Sequence, residues 1–317
     1  MTFNKKSRKI SMPEEVTDLG IGNKVLDSDQ RIVTKDGKFN IERRGISFFK
    51  SFSIYHYLIS ISWLKFCSLI LLVYLLVNIF FAFLYLAGGV ENFEGIETNN
   101  TFDRFVNEFF FSTQTFTTVG YGRINPVGVY SNIISSIESL TGLLSLALAT
   151  GLLYGRFSRP VAKIIYSDNA IIAPFNGVNA FQFRIANMKN DHDMIDVETE
   201  VILSKEVNNL RKFFNLKLEY RKINFFNASW TINHIINEES PVYGLSEKDL
   251  KDSDCEFLIL IKGYDNTFAQ YVNSRYSYRY DELIWGARFT NIYGRSEDGR
   301  GMIELDKISL IEKAELN

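Results

Sequence analysis

Two long apolar stretches divide the chain, and each is long enough to cross a bilayer. Phe66 to Ala87 contains no charged residue, and about 20 apolar residues suffice to cross the hydrocarbon core. The second stretch, Ile133 to Gly155, contains a single acid, Glu138. We therefore predict membrane-spanning helices at residues 66–87 and 131–157, within a pore unit of residues 66–160.

The residues before the first stretch are too polar to span a membrane. In residues 48–65, aromatic side chains such as Tyr55 and Trp63 stand beside Lys50 and Lys65. This mixture predicts a helix that lies in the membrane interface with its rings at headgroup depth. Residues 1–47 form a predicted polar arm, in which the pattern of residues 31–41 indicates a strand, an Asp-Gly turn and a second strand.

A short amphipathic segment lies between the two apolar stretches. Its apolar residues recur at helical spacing: Phe102, Phe105, Val106, Phe109 and Phe110. This period predicts a helix over 102–115, with Asn100 or Thr101 as its N-cap. The helix is too short to cross the membrane, so we expect it to re-enter and to direct its C-terminal end, whose dipole favours a cation, at the residues that follow.

Residues 117–122 read Thr-Thr-Val-Gly-Tyr-Gly, which matches the loops that form potassium selectivity filters. Glycine permits backbone conformations that let successive carbonyls turn to one axis. We predict K+ coordination by the residues of this loop, namely Thr118, Val119, Gly120 and Tyr121, with Gly122 completing the filter. Alone, the hexapeptide would fit a turn in a soluble loop, but its place between two apolar stretches favours a filter. One such loop cannot enclose an ion, which predicts a homotetramer.

After residue 160 the pattern changes from helical to alternating. Val197, Thr199 and Val201 alternate with polar residues, and residues 257–261 form another strand-like run. Several short strands separated by Asn, Asp and Gly turns predict a β-sandwich over 161–317.

Charge and composition restrict the class of protein further. The formal net charge is −2, which gives no electrostatic case for nucleic-acid binding. Basic residues lie before the first apolar stretch and after the second. The positive-inside rule therefore predicts that both termini are cytoplasmic in a multi-pass protein of the plasma membrane. The three histidines lie in unrelated segments and no phosphate-binding motif occurs. We expect no enzyme and no cofactor, with K+ only as the permeant ion.

Three sequence features resemble inward-rectifier potassium channels, and the bacterial branch is the closer match. They are Arg-Phe-Ser-Arg-Pro at 156–160, Lys-Asp-Gly at 35–37, and Ser277-Tyr278 followed by Ile284-Trp285-Gly286. The resemblance implies an α+β membrane protein. In it, four chains each supply an interfacial helix, a two-helix pore with a re-entrant pore helix, and a cytoplasmic immunoglobulin-like β-sandwich.

The resemblance also implies roles for residues that the pattern alone leaves open. Gly142, Leu146, Thr150 and Tyr154 share one stripe of the second spanning helix, which is either a packing stripe or, by resemblance, the pore lining. Gly142 would then be a place to bend and Tyr154 the inner gate. The loop from Phe268 to Val272 would constrict the cytosolic ion path with Ala269, Gln270 and Tyr271, although in a soluble sandwich it would be an ordinary hairpin tip. Arg156, Arg159 and Lys163 lie where anionic lipid headgroups are expected, as lipid ligands or as anchors only.

Three departures from the family pattern bear on the pore. Gln114 replaces the usual pore-helix Glu, and Arg123 follows the filter where bacterial members often carry Asp. Both affect the support of the filter, for which Gln114 and Glu138 are candidates, although Glu138 could instead attract ions. Leu146 replaces the acid with which strong rectifiers hold polyamines or Mg2+, so weak rectification is expected. The alternative function is a membrane-anchored ligand-sensing or partner-binding module with a non-conducting pore.

Overall fold

The computed structural model describes residues 30–42, 44–45, 53–98, 100–159, 162–188, 194–208 and 210–317. Contacts divide the chain into two compact units. One is residues 44–159, and the other joins the N-terminal residues up to 43 to everything from 160 onward. The predicted arm before residue 30, the start of the interfacial helix and Pro160 lie outside the described residues.

The described residues of the first unit include the helices α1 (Ile54–Ser60), α2 (Trp63–Gly88), α3 (Thr101–Phe116) and α4 (Gly128–Phe157). Both α2 and α4 are long and apolar enough to cross a membrane, with mean hydropathies of 2.7 and 1.5. The interfacial helix was predicted to reach residue 65, but the extended backbone at Ile61 and Ser62 ends it at Ser60. Trp63 to Lys65 instead begin α2, where the lysine stem can lie along apolar surface with its charge in water.

Helix α3 and its flanks pack inside this unit. Asn100, one of the two predicted N-caps, accepts a hydrogen bond from the Phe102 amide at 3.1 Å. Two short strands, β1 (Phe93–Glu94) and β2 (Asn125–Pro126), pair antiparallel and join the segments before and after α3. Beneath them lies an apolar cluster of Phe81, Tyr85, Phe93, Ile96, Phe111 and Ile124. These contacts hold the residues after α3 against α2 and α4.

The second unit contains two five-stranded sheets. The first has the order β11-β10-β6-β7, with β8 also paired to β6, and comprises β6 (Met194–Val207), β7 (Leu210–Asn215), β8 (Lys222–Phe226), β10 (Glu256–Asp265) and β11 (Gln270–Arg279). The second has the order β12-β4-β5-β3, with β9 paired to β5, and comprises β3 (Ile164–Tyr166), β4 (Ala170–Phe175), β5 (Val178–Asn187), β9 (Ser229–Ile236) and β12 (Leu283–Trp285).

One apolar core joins these sheets face to face. Phe181 of β5 stacks on Phe257 of β10 with ring centroids 4.2 Å apart, which places the alternating apolar residues of both sheets inside. The unit also contains a short helix α5 (Glu247–Asp252) and two two-stranded sheets, formed by β13 (Ala287–Phe289) with β16 (Ile311–Lys313) and by β14 (Tyr293–Arg295) with β15 (Gly301–Ile303).

The described part of the N-terminal arm docks on the first sheet. Ile32 and Val33 pack with Phe213 and Leu258, and their backbone amides donate to the buried Glu256 carboxylate at 2.8 and 3.2 Å. Only one isolated bridge, Val33 to Phe39, joins the two predicted strands. The segment is therefore held more by the β-domain than by its own hairpin.

Candidate functional site

The segment from 117 to 122 leaves the C-terminal end of α3 with its amides turned back to that helix. Val119 and Gly120 both donate to the Gln114 carbonyl, at 2.9 and 3.3 Å. Within the described residues, no hydrogen bond ends on the carbonyls of residues 118–121. The amides of residues 117–120 are therefore bonded to α3 while the carbonyls of residues 118–121 are unengaged, and unengaged carbonyl oxygens are what a cation requires.

Along this segment, residues with a positive φ angle alternate with residues without one. Thr118, Gly120 and Gly122 have φ angles of +61°, +53° and +74°, whereas Val119 and Tyr121 do not have positive φ. Alternation between left- and right-handed residues lets successive carbonyls face one side. Glycine adopts the left-handed conformation readily, while Thr118 is strained there.

The side chains of this segment find little within one chain to pack on. Val119 is 53% exposed and Tyr121 78% exposed. A methyl group on Gly120 or Gly122 would meet no atom within 4 Å. Val119 and Tyr121 are thus largely unpacked in the single chain, and any packing around them must come from another molecule.

A buried polar network lies behind the segment and joins three helices. Tyr85 of α2 donates to Glu138 Oε2 of α4 at 2.5 Å. Ser112 of α3 is bonded to Glu138 Oε1 and lies 3.0 Å from Asn78 Oδ1. All four side chains are fully buried, so Glu138 acts here as a hydrogen-bond partner, the first of its two predicted roles. The Gln114 side chain makes no hydrogen bond in the part of the chain that the structure describes.

Sequence reasoning missed Tyr85 and Ser112 as members of this network. A tyrosine and a serine are unremarkable in apolar helices, and only their meeting with Glu138 gives them a role. Asn78 did carry a signal, because a strongly polar side chain in an apolar span is expected to face protein.

The predicted stripe on α4 divides into a packed and an exposed part. Gly142 is buried, and a methyl group there would clash with the Phe116 carbonyl at the end of α3. Helix α4 runs unbroken from Gly128 to Phe157, and the role of Gly142 as a place to bend stays a prediction. Leu146 and Tyr154 are 63% and 74% exposed. Thr118, Gly142 and Leu146 line one mostly apolar cavity of about 580 Å³.

Two of the three predicted lipid ligands bind α1 instead. The Arg156 guanidinium donates to the carbonyls of Leu58 and Ile61 at 2.6 and 2.7 Å, and lies 4.4 Å from the centre of the Phe66 ring. Arg159 donates to Ser60 Oγ at 2.9 Å. These bonds satisfy carbonyls at the C-terminal end of α1 and tie it to the end of α4. Lys163 belongs to the other unit and is exposed.

The predicted cytosolic constriction is a hairpin tip between β10 and β11. Asp265 accepts hydrogen bonds from the amides of Thr267 and Phe268 at 2.9 and 3.2 Å, and Ala269 has a φ of +50°. The resemblance implied that Gln270 and Tyr271 belong to this loop. In the structure they belong to β11, which begins at Gln270. The turn itself is completed before them, within residues 266–269.

Comparison with known proteins places both units in one family. A family model described as the inward rectifier potassium channel C-terminal domain matches residues 164–316, and one described as an ion channel matches 69–159. The chain is 36% identical over 285 residues to the inward rectifier potassium channel Kirbac3.1 of Paramagnetospirillum magnetotacticum, covering 87% of this chain and 94% of that protein. It is 25% identical over 313 residues to the mouse G protein-activated inward rectifier potassium channel 2, covering 90% of this chain and 72% of that one.

Proposed function

Since the chain belongs to the inward-rectifier potassium channel family, we propose that it forms a homotetrameric channel that conducts K+ passively across the plasma membrane. The observation that carries this proposal is the segment from 117 to 122, in which the amides of residues 117–120 are bonded to α3 while the carbonyls at 118–121 have no partner within the described residues. Four such segments around one axis would replace the hydration shell of the ion.

Assembly into a tetramer is supported by what one chain leaves uncovered. The exposed Val119 and Tyr121 side chains and the cavity beside Thr118 are apolar surfaces next to the filter. We infer that neighbouring copies of the chain cover them. No cofactor beyond the permeant K+ enters this function.

Gating is proposed at the cytoplasmic end of α4, with both termini of the chain in the cytoplasm. Tyr154 is exposed on the stripe that would face the axis, and Arg156, two residues later, is bonded to α1. Movement of α1 would therefore be transmitted to the gate. Anionic lipids would act through the exposed Arg159 and Lys163, while Arg156 serves the mechanical link.

Purified full-length chain in liposomes tests the conduction proposal directly. We expect uptake of K+ that exceeds uptake of Na+ under equal gradients, in a preparation that sizes as a tetramer. An intact tetramer that passes no K+ would favour the alternative, a membrane-anchored sensing or partner-binding module. One feature favours this alternative: the Gln114 side chain, a candidate for support of the filter, has no hydrogen-bond partner among the described residues.

A further inference from the structure

A buried acid in α3 has no role in the site described above. Glu108 lies one turn before Ser112 on the same face of α3. Its side chain is fully buried in a single chain, and neither carboxyl oxygen has a hydrogen-bond partner among the described residues. A buried polar group without a partner requires a specific explanation.

The one cation that forms an ion pair with Glu108, among the residues described, is too far away to hydrogen-bond. Arg104 Nη2 lies 3.8 Å from Glu108 Oε1, beyond the roughly 2.7–3.2 Å of an N–H···O bond. Arg104 Nε and Nη2 are themselves buried without partners. The pair thus has charge attraction but none of the hydrogen bonds that offset the desolvation of buried ions.

Assembly cannot supply the missing partner. Because Glu108 is already fully enclosed by its own chain, no residue of a second copy can reach its oxygens without rearrangement. What can reach an enclosed carboxylate is a proton. Protonation removes the buried charge, and a buried neutral acid is far less costly than a buried ion without donors.

The other titratable groups around α3 are either engaged or exposed. Tyr85 of α2 and Glu138 of α4 are bonded to each other, and Tyr130 of α4 donates to the Leu84 carbonyl at 2.9 Å. The charged groups of α3 and its flanking loops that remain are exposed to solvent: Glu91, Glu94, Glu97, Asp103 and Arg123. Among the described residues of this region, Glu108 is therefore the buried acid that lacks a hydrogen-bond partner.

We propose that Glu108 is a proton-binding site of the pore helix, and that K+ conduction changes when its proton is released. On release, the carboxylate attracts the Arg104 side chain across the 3.8 Å gap, an i,i+4 contact that tightens the N-terminal half of α3. The other end of α3 holds the filter amides through Gln114. The effect on conduction rests on the proposed function, whereas the binding of the proton does not.

Potassium flux into liposomes tests the effect, with pH varied equally on both sides over about pH 5 to 9, a range that includes documented buried carboxyls. Wild-type flux should follow a single titration. Glu108→Gln should be independent of pH and match the wild type at acid pH, while the control Asp103→Asn, an exposed acid on the same helix, should titrate as the wild type does. Arg104→Gln should move the midpoint to higher pH by about 1 unit or more, because a nearby cation favours the carboxylate.

Infrared spectroscopy of the same samples tests the proton itself, whether or not the channel conducts. The wild-type spectrum minus the Glu108→Gln spectrum should contain the carbonyl stretch of a protonated carboxylic acid at acid pH, and this difference band should disappear with rising pH. If the difference spectrum contains no such band at any pH, or if neither the flux nor the difference band titrates, Glu108 is not a proton-binding site. Titration of the band without any flux would retain the proton site and reject the proposed function.

Discussion

At the scale of single residues, the filter depends on backbone conformation more than on space. Gly120 has a φ of +53°, yet a methyl group there would touch nothing within 4 Å in the chain. An L-residue in this conformation costs about 1–2 kcal/mol. In a tetramer that cost would recur in each chain.

Gly120→Ser is therefore expected to abolish K+ selectivity or conduction while the tetramer stays intact. Gly151→Ala is a matched control, because Gly151 also has open space around it but lies in the regular helix α4. Flux of K+ and Na+ into liposomes, together with size-exclusion chromatography, measures both effects. Unchanged selective K+ flux in Gly120→Ser would remove the filter assignment.

The sequence predicted single residues well where chemistry is local. The positive φ angles at Gly120 and Gly122 follow from glycine, whereas that of Thr118 does not, and the polar Asn78 signalled its own burial. Arg156 shows the limit. Its position after an apolar span indicates a membrane interface, but nothing in the sequence shows that the Leu58 and Ile61 carbonyls lie within its reach.

At the scale of elements, α1 and the end of α4 form one mechanical connection with two kinds of arginine contact. Arg156 binds two carbonyls with its planar fork, which a lysine cannot reproduce. Arg159 makes one bond and remains exposed. The two bonds of Arg156 suit a fixed connection between α1 and α4. The exposed charge of Arg159 suits the binding of an anionic lipid headgroup.

Two variants separate these roles. Arg159→Gln combined with Lys163→Gln should weaken the dependence of K+ flux on the anionic lipid fraction, since each base near a charged leaflet is worth about 1 kcal/mol. Arg156→Lys should keep that dependence but lower the flux, because charge is retained while the fixed connection is lost. Equal lipid dependence in the double variant and the wild type would leave these residues as anchors only.

The docked N-terminal segment is a second element whose strength should depend on pH. Glu282 is paired with Arg31 and with Lys35, whose Nζ lies 2.8 Å from Glu282 Oε1. Burial would raise the pKa of Glu282, but the Lys35 hydrogen bond, the Arg279 amide and the charge of Arg31 outweigh it, so its pKa lies below the ordinary 4.5. The stabilisation is therefore complete above that value and lost as pH falls through the lower folded value.

Glu282→Gln should expose the backbone of residues 31–37 to hydrogen exchange at neutral pH. We expect exchange to be about tenfold faster, which corresponds to about 1.4 kcal/mol for charge-assisted bonds. Wild-type protection should fall towards the variant level as the pH drops below the Glu282 pKa. Glu297→Gln, which removes an exposed acid of the same unit, should have no effect; equal protection in Glu282→Gln would contradict this account.

The helices of the pore unit were the most predictable elements, because apolar length and helical period are read directly. The break between α1 and α2 at Ile61 and Ser62 could not be predicted, because the segments on both sides suit a helix and only packing in the folded unit divides them into two helices. The start of β11 at Gln270 was likewise set by pairing with Asp265 across the sheet, which no local pattern reveals.

At the scale of the whole molecule, the fourfold symmetry of the proposed tetramer would place four copies of each axis-facing side chain around the pore. Leu146 is exposed in one chain and would form an apolar ring in the tetramer. The acid nearest to it in sequence on α4, Glu138, is buried behind α3 and bonded to Tyr85 and Ser112. The cavity would thus offer no carboxylate to a polyamine or Mg2+ at this level.

Spermine applied from the cytoplasmic side should therefore block the wild type weakly and with shallow voltage dependence. Leu146→Asp should strengthen the block by about 1 kcal/mol or more, the value of one close charge pair at reduced dielectric. Leu146→Asn is the matched control, because it adds polarity without charge. Currents from reconstituted channels measure the block, and strong, steep block of the wild type would show that another acid binds the amine.

The docking of the N-terminal segment also has a consequence for the order of biosynthesis. Ile32 precedes its partner Glu256 by 224 residues, and residues 44–159 of the other unit are made in between. At about 5–20 residues per second, the ribosome needs roughly 11–45 s to reach Glu256 after Ile32. Throughout that interval the Ile32 and Val33 amides lack their Glu256 acceptor, and Leu258 of the apolar cluster that covers the two side chains is not yet made. This early segment is therefore among the last to find its place, and a nascent chain truncated before β10 should leave it open to proteases and chaperones.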